Sequence, residues 1–139
     1  MAEKLLQVRH LKKYFKTNSG MLHAVDDISF DLEAGNTLGL VGESGCGKST
    51  TGRSILRLIE PTSGEIIFNG KDVTKLNNAQ MRHMRKDMQI IFQDPFSSLD
   101  PKKTINQIIA EPIKVNHILT DKHAIENRVL ELSALLSAL

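Results

Sequence analysis

Hydrophobic and polar positions alternate along the first third of the chain, and the period then changes. Leu6, Val8 and Leu11 are set against Gln7, Arg9 and His10, which predicts a strand over Leu5 to Phe15. The stretch KTNSGM is a turn signal. Val25, Ile28, Phe30 and Leu32 then alternate with acids and serine, predicting a half-buried strand from Val25 to Leu32 closed by a turn at Glu33-Ala34-Gly35-Asn36. Thr37 to Val41 is a short apolar run, expected of a strand buried on both faces. From Ser49 the period becomes helical, with Ile55, Leu58 and Ile59 on one side and Pro61 and Gly64 ending the helix. Glu65 to Phe68 and Lys71 to Val73 flank Asn69-Gly70, the strongest short hairpin signal. A short helix is expected over Asn78 to Arg85 and a second apolar strand over Met88 to Phe92, with Pro95 and Pro101 punctuating the stretch after it. Thr104 to Ile109 reads as helical. Thr120 is placed to cap a last helix, with Asp121 in its first turn and an apolar stripe of Ile125, Val129, Leu132, Leu136 and Leu139. No glycine, cap or polar tail stops that helix, so the sequence reads as cut, not finished.

Composition narrows the class without naming it. At 139 residues the chain can form one domain and one core. Its 40% hydrophobic and 24% charged residues are ordinary for a globular protein. A net charge of +2 is too small to argue for a nucleic-acid partner or an acidic membrane surface. The single cysteine, Cys46, cannot form an internal disulfide. MAEKLLQVRHLKKYF lacks the continuous apolar segment of a signal peptide, and no run reaches the ~18 apolar residues of a membrane span. The expectation is a cytoplasmic α/β domain. His10, His23, His83, His117 and His123 are scattered without metal-ligand spacing and are read as surface or packing residues.

The chemistry is concentrated in GESGCGKST, Gly42 to Thr50, where the buried strand gives way to the helix. Gly42-x4-Gly47-Lys48-Ser49 fits the P-loop pattern. Gly42, Gly45 and Gly47 permit backbone conformations closed to residues with a Cβ, so successive N–H groups can converge on one concavity. The helix start adds free N–H groups and a positive dipole end. Lys48 supplies a point charge for phosphates, and the Ser49 hydroxyl is an oxygen ligand of the kind Mg²⁺ prefers. Cys46 sits inside this loop. A thiol at a helix start raises a redox or nucleophilic role as an alternative, yet the simpler reading is a small residue at a permissive position.

A P-loop alone fits kinases, GTPases, helicases and transporters. MQIIFQDPFSSLDP, Met88 to Pro101, begins as a buried strand and runs into a loop opening with Gln93. This resembles the Q-loop of ABC transporter ATPases, and its distance from Lys48 is similar to that family's. GESGCGKST, RLIEPTSGEIIFNGKDV and QDPFSSLDP followed by TINQIIAEPI each resemble the family's pattern, the last in the branch that energises oligopeptide, dipeptide or nickel uptake. The resemblance covers the chain to about Glu131. It implies an α/β P-loop NTPase fold, the ABC nucleotide-binding domain, with an N-terminal antiparallel β-subdomain and P-loop core over residues 1–100 and the start of a helical subdomain over 101–139. It implies that Gly42, Ser44, Gly45, Cys46, Gly47, Lys48, Ser49 and Thr50 hold the phosphates of ATP, and that Ser49 and Gln93 serve Mg²⁺. Lys48 and Gln93 would act in catalysis. Phe15 would stack on adenine, with Tyr14 next to it as the residue a one-position register error would substitute. Phe96 to Pro101 would meet the membrane subunits. The implied partners are a second ATPase subunit, identical or not, two transmembrane permease subunits and, indirectly, an extracytoplasmic solute-binding protein, at the cytoplasmic face of the membrane.

The family's remaining motifs are not found in these 139 residues: the Leu-Ser-Gly-Gly-Gln-like signature, the apolar strand ending in Asp-Glu, and the switch histidine. ELSALLSAL departs from the family's text, as a frameshift, premature stop or fragmentary gene prediction would produce. A positioned general base typically contributes ~10²–10⁴-fold in rate, so the expectation for this chain alone is weak nucleotide binding without turnover. The alternative is a non-catalytic remnant that binds nucleotide weakly or not at all. A P-loop kinase of another family would need a phosphoacceptor site, and none is visible.

Overall fold

A computed structural model describes residues 4–94 and 98–137. Pro95, and Phe96 as part of the expected membrane-subunit surface, lie outside the described residues, as does Leu139 of the last apolar stripe. The chain divides into two compact units, Met1–Gln89 and Ile90–Leu139.

The first unit is an antiparallel sheet with short helices. Strands β1 (Lys4–Thr17) and β2 (Gly20–Glu33) form a long hairpin. Strand β3 (Ser63–Phe68) pairs with the other edge of β1, and β4 (Lys71–Asp72) closes the order β2-β1-β3-β4. The β3–β4 turn is built as the sequence predicts: Asn69 and Gly70 both have positive φ, 49° and 73°, the twist that suits a two-residue hairpin loop. A 3-10 turn at Val73–Lys75 leads into a short helix, Asn78–Met84. Asn77 caps this helix in a reciprocal pair with Gln80, each side chain bonding the other's backbone N–H at 2.9 Å. The core joins Leu6, Val8, Leu11, Val25, Ile66 and Phe68 of the sheet to Val73, Met81, Met84 and Met88.

The loose alternation in the sequence has a structural cause. Val8 and Leu11 are both buried although three positions apart, because an extra residue bulges out of β1 at Arg9–His10, where His10 has φ 49°. A second bulge lies in β2, where Asp27 has φ 55°, so the Val25–Ile28 step is not the clean alternation expected from sequence. The two bulges are tied together by His10 Nδ1 and Asp27 Oδ1 at 2.8 Å. β3 meets the same bulge with Gly64, φ 104°. A Cβ there would lie 2.6 Å from the His10 carbonyl oxygen and 2.6 Å from the Leu11 Cα.

Three expectations are corrected. Thr37 to Val41 and Met88 to Phe92 are not strands; Met88 is buried in the core, while the other apolar side chains of both runs face solvent, Val41 89% and Ile91 96% exposed. Among the described residues no strand lies alongside either segment, and an apolar run without a ladder partner cannot become a strand. Helix α1 (Lys48–Ile55) ends well before Pro61, with Leu56 as its cap, and Arg57 takes a left-handed φ of 47°. The capped helix Asn78–Met84 is α2.

The second unit packs α3 (Ile105–Val115) on α4 (Lys122–Ser137) through Ala110, Ile113, Ile125 and Val129. Thr104 caps α3 with Gln107 in the same reciprocal arrangement, and the helix continues through Pro112 beyond its expected end at Ile109. The cap of α4 is Asp121, not Thr120: its carboxylate accepts the Ala124 N–H at 2.8 Å. Leu136 of the expected stripe is exposed.

Gly64→Ala is expected to destabilise the first unit by about 2 kcal/mol or more, because dihedral strain and backbone collision add. Gly52→Ala, in α1 with open space around it, is expected to stabilise by about 0.5–1 kcal/mol. Urea unfolding followed by circular dichroism checks both. The carboxylates of Asp26, Asp27 and Asp31 are held below the ordinary range by hydrogen bonds, chiefly from Tyr14, His10 and Lys4 respectively. Burial pulls Asp72 upward, but hydrogen bonds from Lys75 and Thr74 together outweigh it and lower it as well. A lowered carboxylate contributes stability above its unfolded pKa and loses it as pH falls through the folded value, so the urea midpoint should fall below about pH 4. Asp72→Asn should flatten that dependence.

Candidate functional site

The Gly42–Thr50 loop meets β2 at Gly47. Between the pairs Lys13–Val25 and Tyr14–His23 the β1–β2 register shifts, leaving Ala24 unmatched. Gly47 lies against the Ala24 carbonyl oxygen so closely that a Cβ on Gly47 would collide with it, and Gly47 itself has φ 94°. Only glycine satisfies both conditions. Gly47 is also the cap of α1, so this contact fixes where the helix starts.

Above that anchor the loop folds over itself. A Cβ on Gly42 would come within 2.7 Å of Cys46 Sγ, and the Cys46 N–H donates to the Glu43 carbonyl at 3.3 Å. Gly45 has φ 81° in open space. Lys48 Nζ donates to the carbonyl oxygens of Gly42 at 2.8 Å and Glu43 at 2.6 Å, and lies 3.5 Å from Cys46 Sγ. Its charge is therefore held at the loop. Thr51 turns inward, its hydroxyl donating to the Gly47 carbonyl at 3.0 Å, while Ser44 and Ser49 are exposed and Thr50 is half-buried. The N–H groups of Lys48, Ser49 and Thr50 have no acceptor inside the helix they begin. Converging N–H donors, a dipole's positive end and an ammonium make a set suited to a phosphate chain. The Ser49 hydroxyl fits a hard cation beside it.

Phe15 and Tyr14 differ sharply. Tyr14 stacks on His23 with ring centroids 3.9 Å apart and donates its hydroxyl to Asp26, so its ring is engaged. Neighbouring strand residues face opposite ways. Phe15 is half-buried, with Lys13 Nζ 4.7 Å from its ring centre. Gln93 is exposed and belongs to the second unit.

A family model described as ABC transporter matches residues 25–137. The chain belongs to the ABC transporter family. It is 51% identical over 133 residues to the oligopeptide transport ATP-binding protein OppF of Bacillus subtilis (strain 168), covering 95% of this chain and 44% of that protein. To AppF of the same organism, also an oligopeptide transport ATP-binding protein, it is 48% identical over 126 residues, covering 85% of this chain and 38% of that one. The chain thus spans less than half the length of these curated relatives. The dimeric structure of MJ0796, a bacterial ABC transporter cassette, superposes with a TM-score of 0.78 at 23% identity, covering 91% of this chain and 54% of that one. At that identity the likeness bears on the fold alone, and the fold is that of part of an ABC cassette.

In this ABC transporter chain, Arg57 is a site-supporting residue the sequence did not announce. Its side chain is 10% exposed. It donates to the carbonyl oxygens of Val73 and Leu76, both at 2.7 Å, and to both carboxylate oxygens of Glu60 at 2.8 and 3.0 Å. Arg85 in turn donates to the Arg57 carbonyl at 2.9 Å. The guanidinium fork pins the end of α1 to the 3-10 turn, and so holds the helix whose other end forms the loop. Nothing in its spacing distinguishes Arg57 from a surface arginine.

Arg57→Lys keeps the charge but loses the fork, and is expected to cost about 2–3 kcal/mol of first-unit stability. Amide exchange should speed up in α1 and in residues 73–76 together; exchange unchanged at both would contradict the clamp.

Proposed function

We propose that this chain is the ATP-binding part of a bacterial importer subunit for oligopeptides or dipeptides. The observation that carries the reading is the cradle: Gly47 locked on Ala24, Lys48 held over the loop, and a helix beginning at that point. It occurs in a chain 51% identical to a protein named for oligopeptide transport and ATP binding. Gly42, Ser44, Gly45, Cys46, Gly47, Lys48, Ser49 and Thr50 would hold the triphosphate, Phe15 would take the adenine, and Ser49 with Gln93 would serve Mg²⁺. ATP would supply its γ-phosphoryl group, whose transfer to water breaks the β–γ phosphoanhydride bond and releases ADP, through a transition state that needs positioning and charge neutralisation from the protein. Lys48 contributes the charge. Gln93 has an amide that can accept through oxygen and donate through nitrogen at once, the capacity needed to orient a water.

The same reading gives the chain a second ATPase subunit and two transmembrane permease subunits as partners, with a solute-binding protein acting indirectly, at the cytoplasmic face of the membrane. Among the described residues no helix is long and apolar enough to cross a membrane. Peptide is preferred to nickel as the solute because the relatives at 48–51% identity are named for peptide transport.

A second reading holds that these 139 residues bind nucleotide weakly or not at all and turn none over. It draws on the exposed Leu38, Leu40 and Val41, the run that leads into the loop without a ladder to hold it. Calorimetric titration with Mg·ATP separates the two. On the first reading the chain binds, and Lys48→Ala weakens binding roughly ten- to a hundredfold through loss of charge-assisted hydrogen bonds. Binding unaffected by that substitution would sink the first reading. Phosphate release by the purified chain is expected to stay at background on either.

A further inference from the structure

The cradle and the Phe15 ring are joined by a residue that neither motif includes. Gly47 rests on Ala24, and a Cβ built there would lie 3.8 Å from Val25 Cγ2, so the Val25 side chain faces the loop. Val25 is the ladder partner of Lys13, and directly opposed residues of an antiparallel pair present their side chains on one face. Lys13 is therefore on the face that carries the loop. Its ammonium lies over the Phe15 ring, 4.7 Å from the centroid. One face of the hairpin thus carries Val25 beside Gly47, its ladder partner Lys13 and the Phe15 ring, within one compact unit.

We infer that Lys13 is a nucleotide-binding residue that makes the site prefer a phosphate chain carrying a base over a bare one. The inference rests on the nucleotide reading of the loop and deepens it. An aromatic ring offers two faces. With an ammonium held against one by cation–π attraction, the other is left for a flat ligand, and the ring is fixed in orientation before the ligand arrives. The same ammonium places a second positive charge beside the ring, on the face of the hairpin that carries the loop, where it would meet the sugar and first phosphate of a nucleotide whose base lies on the ring. Lys48 serves the far end of the phosphate chain and Lys13 the near end. Lys12, the neighbouring lysine, is turned to Asp27, its Nζ 3.7 Å from the carboxylate, and lacks this role.

The test compares two probes, Mg·ATP and inorganic tripolyphosphate, titrated into the 139-residue chain at up to millimolar concentration and followed by amide chemical shifts. Lys13→Met should lower the ratio of ATP to tripolyphosphate affinity on the order of three- to tenfold. Lys13→Arg, which keeps a cation over the ring, should restore most of it. Lys48→Ala should weaken both probes together. An unchanged ratio in Lys13→Met, with the hairpin shifts intact, would overturn the role of Lys13 while leaving the phosphate cradle standing. Equal loss of both probes would reduce Lys13 to a general charge and overturn the inference equally. No response of the wild-type loop to either probe would overturn the nucleotide reading and the inference with it.

Discussion

The contact of Gly47 with the Ala24 carbonyl is the constraint on which the candidate site depends. It demands glycine twice over, once for a left-handed backbone and once for the space a Cβ would need. Because the same residue caps α1, one contact sets the position of the loop, the helix start and the unpartnered N–H groups together. Ala24 is free to make it because the hairpin slips register there, so the irregularity in the sheet and the geometry of the loop are a single feature.

Irregularity is used the same way elsewhere in the first unit. The bulge at Arg9–His10 brings Val8 and Leu11 to the same face, and Gly64 on β3 gives it room. Around the bulges the polar groups pair across the strands, His10 with Asp27, Tyr14 with Asp26, and Lys4 and Arg9 with Asp31. Exposed pairs of this kind contribute little energy each. Their value is in fixing a register that alternation alone leaves open. The far end of α1 is held by different means, a buried guanidinium that satisfies two carbonyls and a carboxylate at once.

The apolar segments before the loop and after Met88 show where local pattern and structure part. Leu38, Leu40, Val41 and Ile91 carry the composition of buried parallel strands, yet each is open to solvent among the described residues. A strand's hydrogen bonds are made by its neighbours, so composition can propose a strand but cannot complete one. Apolar side chains left uncovered in this way are the kind of surface that invites association.

The chain's local chemistry was legible in its sequence. Asn69-Gly70 dictated a two-residue turn through positive φ, the run from Thr104 to Ile109 read as helical and opens α3, and the glycines and lysine of Gly42–Thr50 pointed to the loop that opens α1 because each residue type carries its own physical reason for being there. What only the tertiary structure decided is everything that depends on a neighbour far along the chain. The bulges displaced the alternation, Arg57 pinned the end of α1 by finding carbonyls sixteen and nineteen residues away, and the cross-strand pairing of Lys13 with Val25 decided that the face carrying Lys13 is the face of the loop. Periodicity records which way a side chain tends to point; it carries no information about which partner will be waiting, and hydrogen bonds, ladders and charge pairs are made by partners.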